Sequence, residues 1–250
     1  MILVCYFYNG LKIYYDKFGE GEPVVFLHGW GCSSDVFKVV GRSISKKYMV
    51  YLIDFPGFGK STLSDYVIDV KMMASIIDGF FKAFRINNPV IIGHSYGGRV
   101  AAEYARYNKN ISKLVLIDSA GIKRFSFIKF FKVRLYKFKK SLYKITKRVM
   151  KYNELITRSG SSDYVSAGVI QKRMLIAAVN YNQKHVFKCI KCETLLIWGS
   201  NDKSTPLKDG KLINRLIQNS SLVIIPNSGH FPFVDNYPYF IKVLESYLGV

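Results

Sequence analysis

Cysteine is scarce in this chain, with four among 250 residues. Four thiols cannot staple a chain of this length, so a disulfide scaffold is excluded and a reducing compartment is expected. Cys189 and Cys192 form a CxxC, but no second CxxC or paired histidine stands near it. The pair therefore reads as an ordinary loop before a strand, not as a zinc or redox site. Long apolar runs are missing too. No stretch approaches the ~20 residues of a membrane span, and the first ten residues, MILVCYFYNG, lack a basic start, an adequate apolar segment and a small-residue cleavage site. They read as a first strand, and a soluble, cytoplasmic protein is expected. There is no internal repeat and no low-complexity linker. With 49% apolar and 15% aromatic residues, disorder is excluded and the length supports a large core.

Acidic residues are the other shortage: 17 Asp and Glu face 37 Lys and Arg, a formal net charge of +20. The imbalance is local. Residues 122 to 191 hold 18 Lys and Arg but only two acids, Glu154 and Asp163, which accounts for 18 − 2 = +16 of the total. Lysine-rich coding bias explains abundance but not clustering.

The first 121 residues alternate strand and helix signals. Strand-like runs are ILVCYFY, LKIYYDKFG, PVVFLHG, YMVYLIDF, PVIIGHS and KLVLIDS, with helical periodicity in DVKMMASIIDGFFKAF and GGRVAAEYARY. Short apolar strands separated by helices predict a mainly parallel, twisted α/β sheet covered on both faces, with the first two strands as an antiparallel hairpin edge. The same pattern resumes after residue 186 with ETLLIWGS, a helix around DGKLINRLIQ, SLVIIPNSGH and a final helix PYFIKVLESYL. In between, Phe131, Leu135, Phe138, Leu142, Ile145 and Val149 form one helical stripe amid lysines, and SAGVIQKRMLIAAVN gives a second helical stretch. The expected organisation is a core of residues 1–121 and 186–250 with a helical cap inserted at 122–185.

One segment carries chemistry on its face. In PVIIGHSYGGRVAAEYA an apolar strand hands Ser95 to a helix, and Gly93 and Gly97 fence the serine where side chains would collide with backbone. Such a turn lifts the Ser95 hydroxyl above the strand ends and sets the Tyr96 amide at a helix N-terminus, where it meets developing negative charge. A serine hydroxyl needs a base, and the base an orienting acid. The chain has four histidines. His28 lies in FLHGWG and His185 in the lysine-rich insertion, while strand alternation points His94 away from Ser95. His230, on a short turn after SLVII, is the candidate base. Three acids follow apolar strands: Asp54, Asp118 and Asp202. Asp202 completes the chain order Ser, Asp, His and is the candidate acid. Asp118, one strand earlier, is the alternative, and Asp54 reads as a structural residue of the FPGFGKS turn. An oxyanion hole requires two N–H donors, and HGWG after PVVFL makes the Trp30 amide the partner of the Tyr96 amide.

Together, FLHGWG, LIDFPGFGKS, GHSYGG, LLIWGSNDKSTP and SGHFPF resemble the α/β-hydrolase fold superfamily, over both sheet-forming parts of the chain. That resemblance implies Ser95 as nucleophile, Asp202 as acid, His230 as base, Trp30 and Tyr96 amides as oxyanion donors, and a helical cap over the site. It implies a serine esterase with an acyl-enzyme intermediate and neither cofactor nor metal. A serine at the nucleophile position sets the chain apart from epoxide hydrolases and haloalkane dehalogenases. HGWG followed by CSSDVF is similar to small carboxylesterases that act on carrier-bound acyl methyl esters. C–C bond hydrolysis, cofactor-free peroxidase activity and ligand binding without turnover are the alternatives on this fold. The aromatic cap suggests a small, largely apolar acyl substrate. Its charge suits an acidic carrier protein or an anionic membrane surface. Nucleic acid is not expected, because no binding module is visible.

Overall fold

Strands buried on both faces read as near-continuous apolar runs, and the central strands of this protein carry them as PVVFL, VII, LVLI and LLIW. The computed structural model describes residues 2–123 and 167–250. Its strands are β1 (Ile2–Tyr8), β2 (Leu11–Phe18), β3 (Glu22–Leu27), β4 (Tyr48–Ile53), β5 (Val90–His94), β6 (Lys113–Ile117), β7 (Thr194–Gly199) and β8 (Ser220–Ile225). They form one sheet in the order β1-β2-β4-β3-β5-β6-β7-β8. Only the pairings of β2 with β1 and β4 are antiparallel. All others are parallel. Asn9 and Gly10, both at positive φ, close the edge hairpin with a two-residue turn whose twist matches its strands.

Helices cover both faces. In chain order they are α1 (Lys38–Ile44, after a 3₁₀ turn at Ser34–Phe37), α2 (Val70–Ala83), α3 (Tyr96–Tyr107), α4 (Val169–Asn180), α5 (Lys184–Cys189), α6 (Leu207–Leu216), α7 (Pro232–Asp235) and α8 (Tyr237–Leu248). Strand alternation sorts the core into two layers. Val25, Leu27, Ile91, Leu116, Leu196 and Trp198 pack against α2, α3, α5 and α6. Val24, Phe26, Ile92, Val115, Ile117 and Ile197 pack against α1 and α8. Each fully buried side chain of this kind contributes about 1.5–3 kcal/mol, so core packing, not local propensity, fixes the strand ends.

The helix α1 is not among the sequence expectations. Its signal is short: Phe37, Val40 and Ile44 are buried at steps of three and four, and no side chain caps its start. Of the expected insertion at 122–185, the lysine-rich stripe from Phe131 to Val149 lies outside the described residues. Its described end is helical, as α4. Helix α5 spans the expected boundary at 185/186, with Val186 and Phe187 in the core. Among the described residues no helix is long and apolar enough to cross a membrane.

Parallel strands bring their C-terminal ends to one edge, so Trp30, Asp54, Ser95, Asp118, Asp202 and His230 emerge together. From β3 the chain first lays β4 on one side and later β5 on the other. That reversal opens a crevice between the loops after β3 and β5.

Candidate active site

Ser95 holds a backbone few residues tolerate, with φ 51° and ψ −107° between β5 and α3. The surroundings enforce it. Ser95 N–H donates to the Ile117 carbonyl at 3.0 Å, and the Ser95 carbonyl accepts from Ala120 N–H at 3.1 Å and Arg99 N–H at 3.2 Å. A Cβ at Gly93 would stand 2.6 Å from the Gly97 carbonyl oxygen, and one at Gly97 would overlap the Leu27 carbonyl. Glycine is therefore required at both positions, as the sequence pattern anticipates.

The raised hydroxyl meets His230. Ser95 Oγ lies 2.9 Å from His230 Nε2, and His230 Nδ1 lies 2.7 Å from Asp202 Oδ2. With its hydrogen on Nδ1, the imidazole donates to the carboxylate and accepts from the serine. The Asp202 carboxylate is fully buried. It accepts Ser204 N–H at 2.7 Å and Thr205 N–H at 3.1 Å on Oδ1, and Thr205 Oγ1 lies 2.6 Å from Oδ2. Burial by itself would raise this acid, but hydrogen bonds from His230 and Thr205 outweigh it and draw the pKa down to about 2. Trp198 Nε1 donates to the Thr205 carbonyl at 2.7 Å, tying the acid loop to the core.

Asp118, the alternative acid, is in the same cluster but does not bond the imidazole. Its Oδ1 accepts Gly199 N–H at 3.0 Å, while Oδ2 is buried without a hydrogen-bond partner. Burial, reinforced by the neighbouring Asp202 carboxylate, pushes Asp118 up to about 9, so it holds its proton at neutral pH. Asp118, Asp202 and His230 offer ligand atoms within 4.8 Å of one another. A metal there would have to displace the hydrogen bond that already joins two of them. Asp54 sits apart, accepting Ser34 N–H at 2.7 Å and Lys60 N–H at 2.9 Å to fasten the loops after β3 and β4. His28 is fully buried and accepts Phe55 N–H at 3.0 Å. Burial holds it below the usual imidazole range.

The backbone N–H groups of Trp30 and Tyr96 have no acceptor among the described residues, and their rings meet edge-to-face at 5.3 Å. Tyr96 opens α3, so its amide is one of the helix's free N-terminal donors.

A family model described as the alpha/beta hydrolase family matches residues 24–241. The chain belongs to the alpha/beta hydrolase family. A pimeloyl-[acyl-carrier protein] methyl ester esterase of Legionella pneumophila is 23% identical, over 95% of this chain and 100% of its own. Lipase 1 of Psychrobacter immobilis is 26% identical, over 95% and 83%. Among solved structures, an esterase from Exiguobacterium antarcticum superposes with a TM-score of 0.77 at 25% identity, covering 97% of each chain.

In this hydrolase a cavity of about 400 Å³ opens over Ser95, walled by Trp30, Tyr96, Phe231 and, from α4, Leu175 and Val179. Three polar neighbours have no role in the sequence expectations. Thr205 grips Asp202. His94 has its ring 4.8 Å from that of His230, tilted by 51°, and donates through Nε2 to the His230 carbonyl at 2.7 Å. Burial holds His94 at about 3, so it remains a neutral donor. Arg99 lines the cavity one helical turn after Ser95. Thr205 had a legible signal, since Asp-x-x-Thr marks a side-chain turn. The other two depend on contacts across the fold.

Proposed function

We propose that this protein hydrolyses a carboxylic ester through an acyl-enzyme intermediate. The observation that carries this reading is the continuous relay from Ser95 Oγ to His230 Nε2, at 2.9 Å, and from His230 Nδ1 to Asp202 Oδ2, at 2.7 Å. Ser95 Oγ attacks the ester carbonyl as His230 takes its proton, and Asp202 steadies the imidazolium. The oxyanion forms against the Trp30 and Tyr96 amides, each such donor contributing about 10²–10³ in kcat. The C–O bond then breaks, the alcohol leaves with the proton from His230, and water repeats the sequence to free the acid and regenerate Ser95.

Residues 122–185 form a cap over the site in this reading, supported by α4, whose Leu175, Ala178 and Val179 line the cavity. The apolar lining favours a small, largely apolar acyl group. Delivery by an acidic carrier protein is supported by the +16 at 122–191 and by the Legionella relative's name.

A chain-length series of p-nitrophenyl esters tests this reading. The expected result is measurable turnover, highest with short to medium acyl chains, and a loss of about 10⁴-fold or more in Ser95→Ala. Uniformly negligible turnover by the wild type would contradict it.

A further inference from the structure

Among the described residues lining the cavity, Arg99 is the only one with a permanent charge. It is 5% exposed, yet no carboxylate among the described residues pairs with it. Its Nη1 donates to two neutral acceptors, the Tyr181 carbonyl at 2.7 Å and Gln183 Oε1 at 3.3 Å. The hydrogens on Nη2 and Nε meet no acceptor among the described residues. Glu103 accepts from Gln183 Nε2 at 3.3 Å and from the Tyr181 hydroxyl at 2.9 Å, touching this network only at second hand. Burial pushes Arg99 down to about 10, so it stays charged at neutral pH.

A buried cation with no carboxylate partner among the described residues carries a desolvation cost, which its surroundings must offset. Holding Tyr181 and Gln183 in place requires only a neutral donor. A guanidinium adds a charged planar fork suited to gripping a planar anion by two parallel N–H bonds. Arg99 also lies in the first turn of the helix that Ser95 opens, its N–H donating to the Ser95 carbonyl at 3.2 Å. Ser95 and Arg99 line the same cavity, so an anion at Arg99 lies a short spacer away from an ester at Ser95. Leu175, Val179 and Trp30 would cover that spacer.

From this we infer that Arg99 is the anion-binding subsite of the cavity, and that the substrate is an ester bearing a carboxylate a few bonds from the scissile carbonyl. The inference rests on the ester-hydrolase reading for the identity of the substrate, but its test is binding, so either can fail without the other. Ser95→Ala protein, which retains ligand uncleaved, is titrated by calorimetry with monomethyl glutarate and with its primary amide. 4-Acetoxybutyrate and its amide form the second arm. The first pair puts the carboxylate on the acyl side, the second on the alcohol side. The expected result is about 10- to 100-fold tighter binding of the carboxylate in one arm, the range of a charge-assisted pair. Adding Arg99→Gln should abolish that preference. Arg99→Lys, which keeps the charge without the fork, should retain a smaller one and also serves if the glutamine variant fails to fold. Equal affinity of carboxylate and amide in both arms, or a preference unchanged in either Arg99 variant, would overturn the inference.

Discussion

Asp118 and Asp202 are two buried carboxyls of one cluster with opposite electrostatic fates. Asp202 is held near 2 by the bonds it accepts, and Asp118 near 9 by burial and its neighbour's charge. An unfolded aspartate titrates near ~3.9. Between about 4 and 9 the fold therefore keeps a proton on Asp118 that the unfolded chain has released, and this residue's contribution to stability falls as pH rises through that window. Asp202 works the other way. Its contribution is complete above about 4 and is lost as pH falls toward 2. Asp118→Asn, which keeps the shape and the Gly199 contact, is expected to flatten the decline in unfolding free energy between pH 4 and 9. Urea unfolding across pH measures this, and an unchanged slope would mean that Asp118 is not the proton holder. Turnover should separate the two acids as well. Asp202→Asn is expected to lower kcat about 10³–10⁴-fold by spoiling the imidazole tautomer, while Asp118→Asn keeps most activity. The reverse order would move the orienting role to Asp118. Ser95, Asp202 and His230 were legible in the sequence because each follows an apolar strand in a fixed order. Chain order already favoured Asp202 over Asp118; the fold adds the 2.7 Å contact that Asp202, and not Asp118, makes with His230. His94 and Arg99 owe their contacts to residues 136 and 82 positions away in the chain, which local pattern does not register.

The turn between β5 and α3 shows how an element sustains a strained residue. Its two glycines let α3 pack directly on β3 and β5, so Gly97→Ala would force a methyl into the Leu27 carbonyl. A destabilisation of about 1–3 kcal/mol is expected, read as a lower urea midpoint, together with loss of turnover from displacing Ser95. Unchanged stability and activity would show that the close approach is not needed. The helices α2, α3, α6 and α8 were readable from their periodicity over ten or more residues. The seven-residue α1 was not, because its segment has no cap and too few turns to establish a period. Its attachment is tertiary: Phe37 packs 5.0 Å from Phe26 and 4.9 Å from Phe233. Phe37→Ala should cost about 3–5 kcal/mol, which chemical denaturation would detect.

Across the whole molecule, sheet order and charge divide the labour. The sheet gathers six loops at one edge, and the sequence foretold this because buried parallel strands read as near-continuous apolar runs. It could not foretell the cavity, whose walls come from loops and helices distant in the chain. The charge is concentrated in one stretch of the sequence, with +16 of the +20 at residues 122–191. If that region receives an acidic carrier, a bacterial acyl carrier protein should bind at low salt, and the dissociation constant should rise about tenfold or more between 50 and 500 mM salt. Absence of binding at low salt would remove the carrier from the account. The central claim, that Ser95 is an activated nucleophile, is tested most directly by intact-mass and peptide mass spectrometry after exposure to a fluorophosphonate. A single adduct on the peptide containing Ser95, absent from Ser95→Ala, is the predicted result. Equal labelling of both proteins, or no labelling of the wild type, would contradict it.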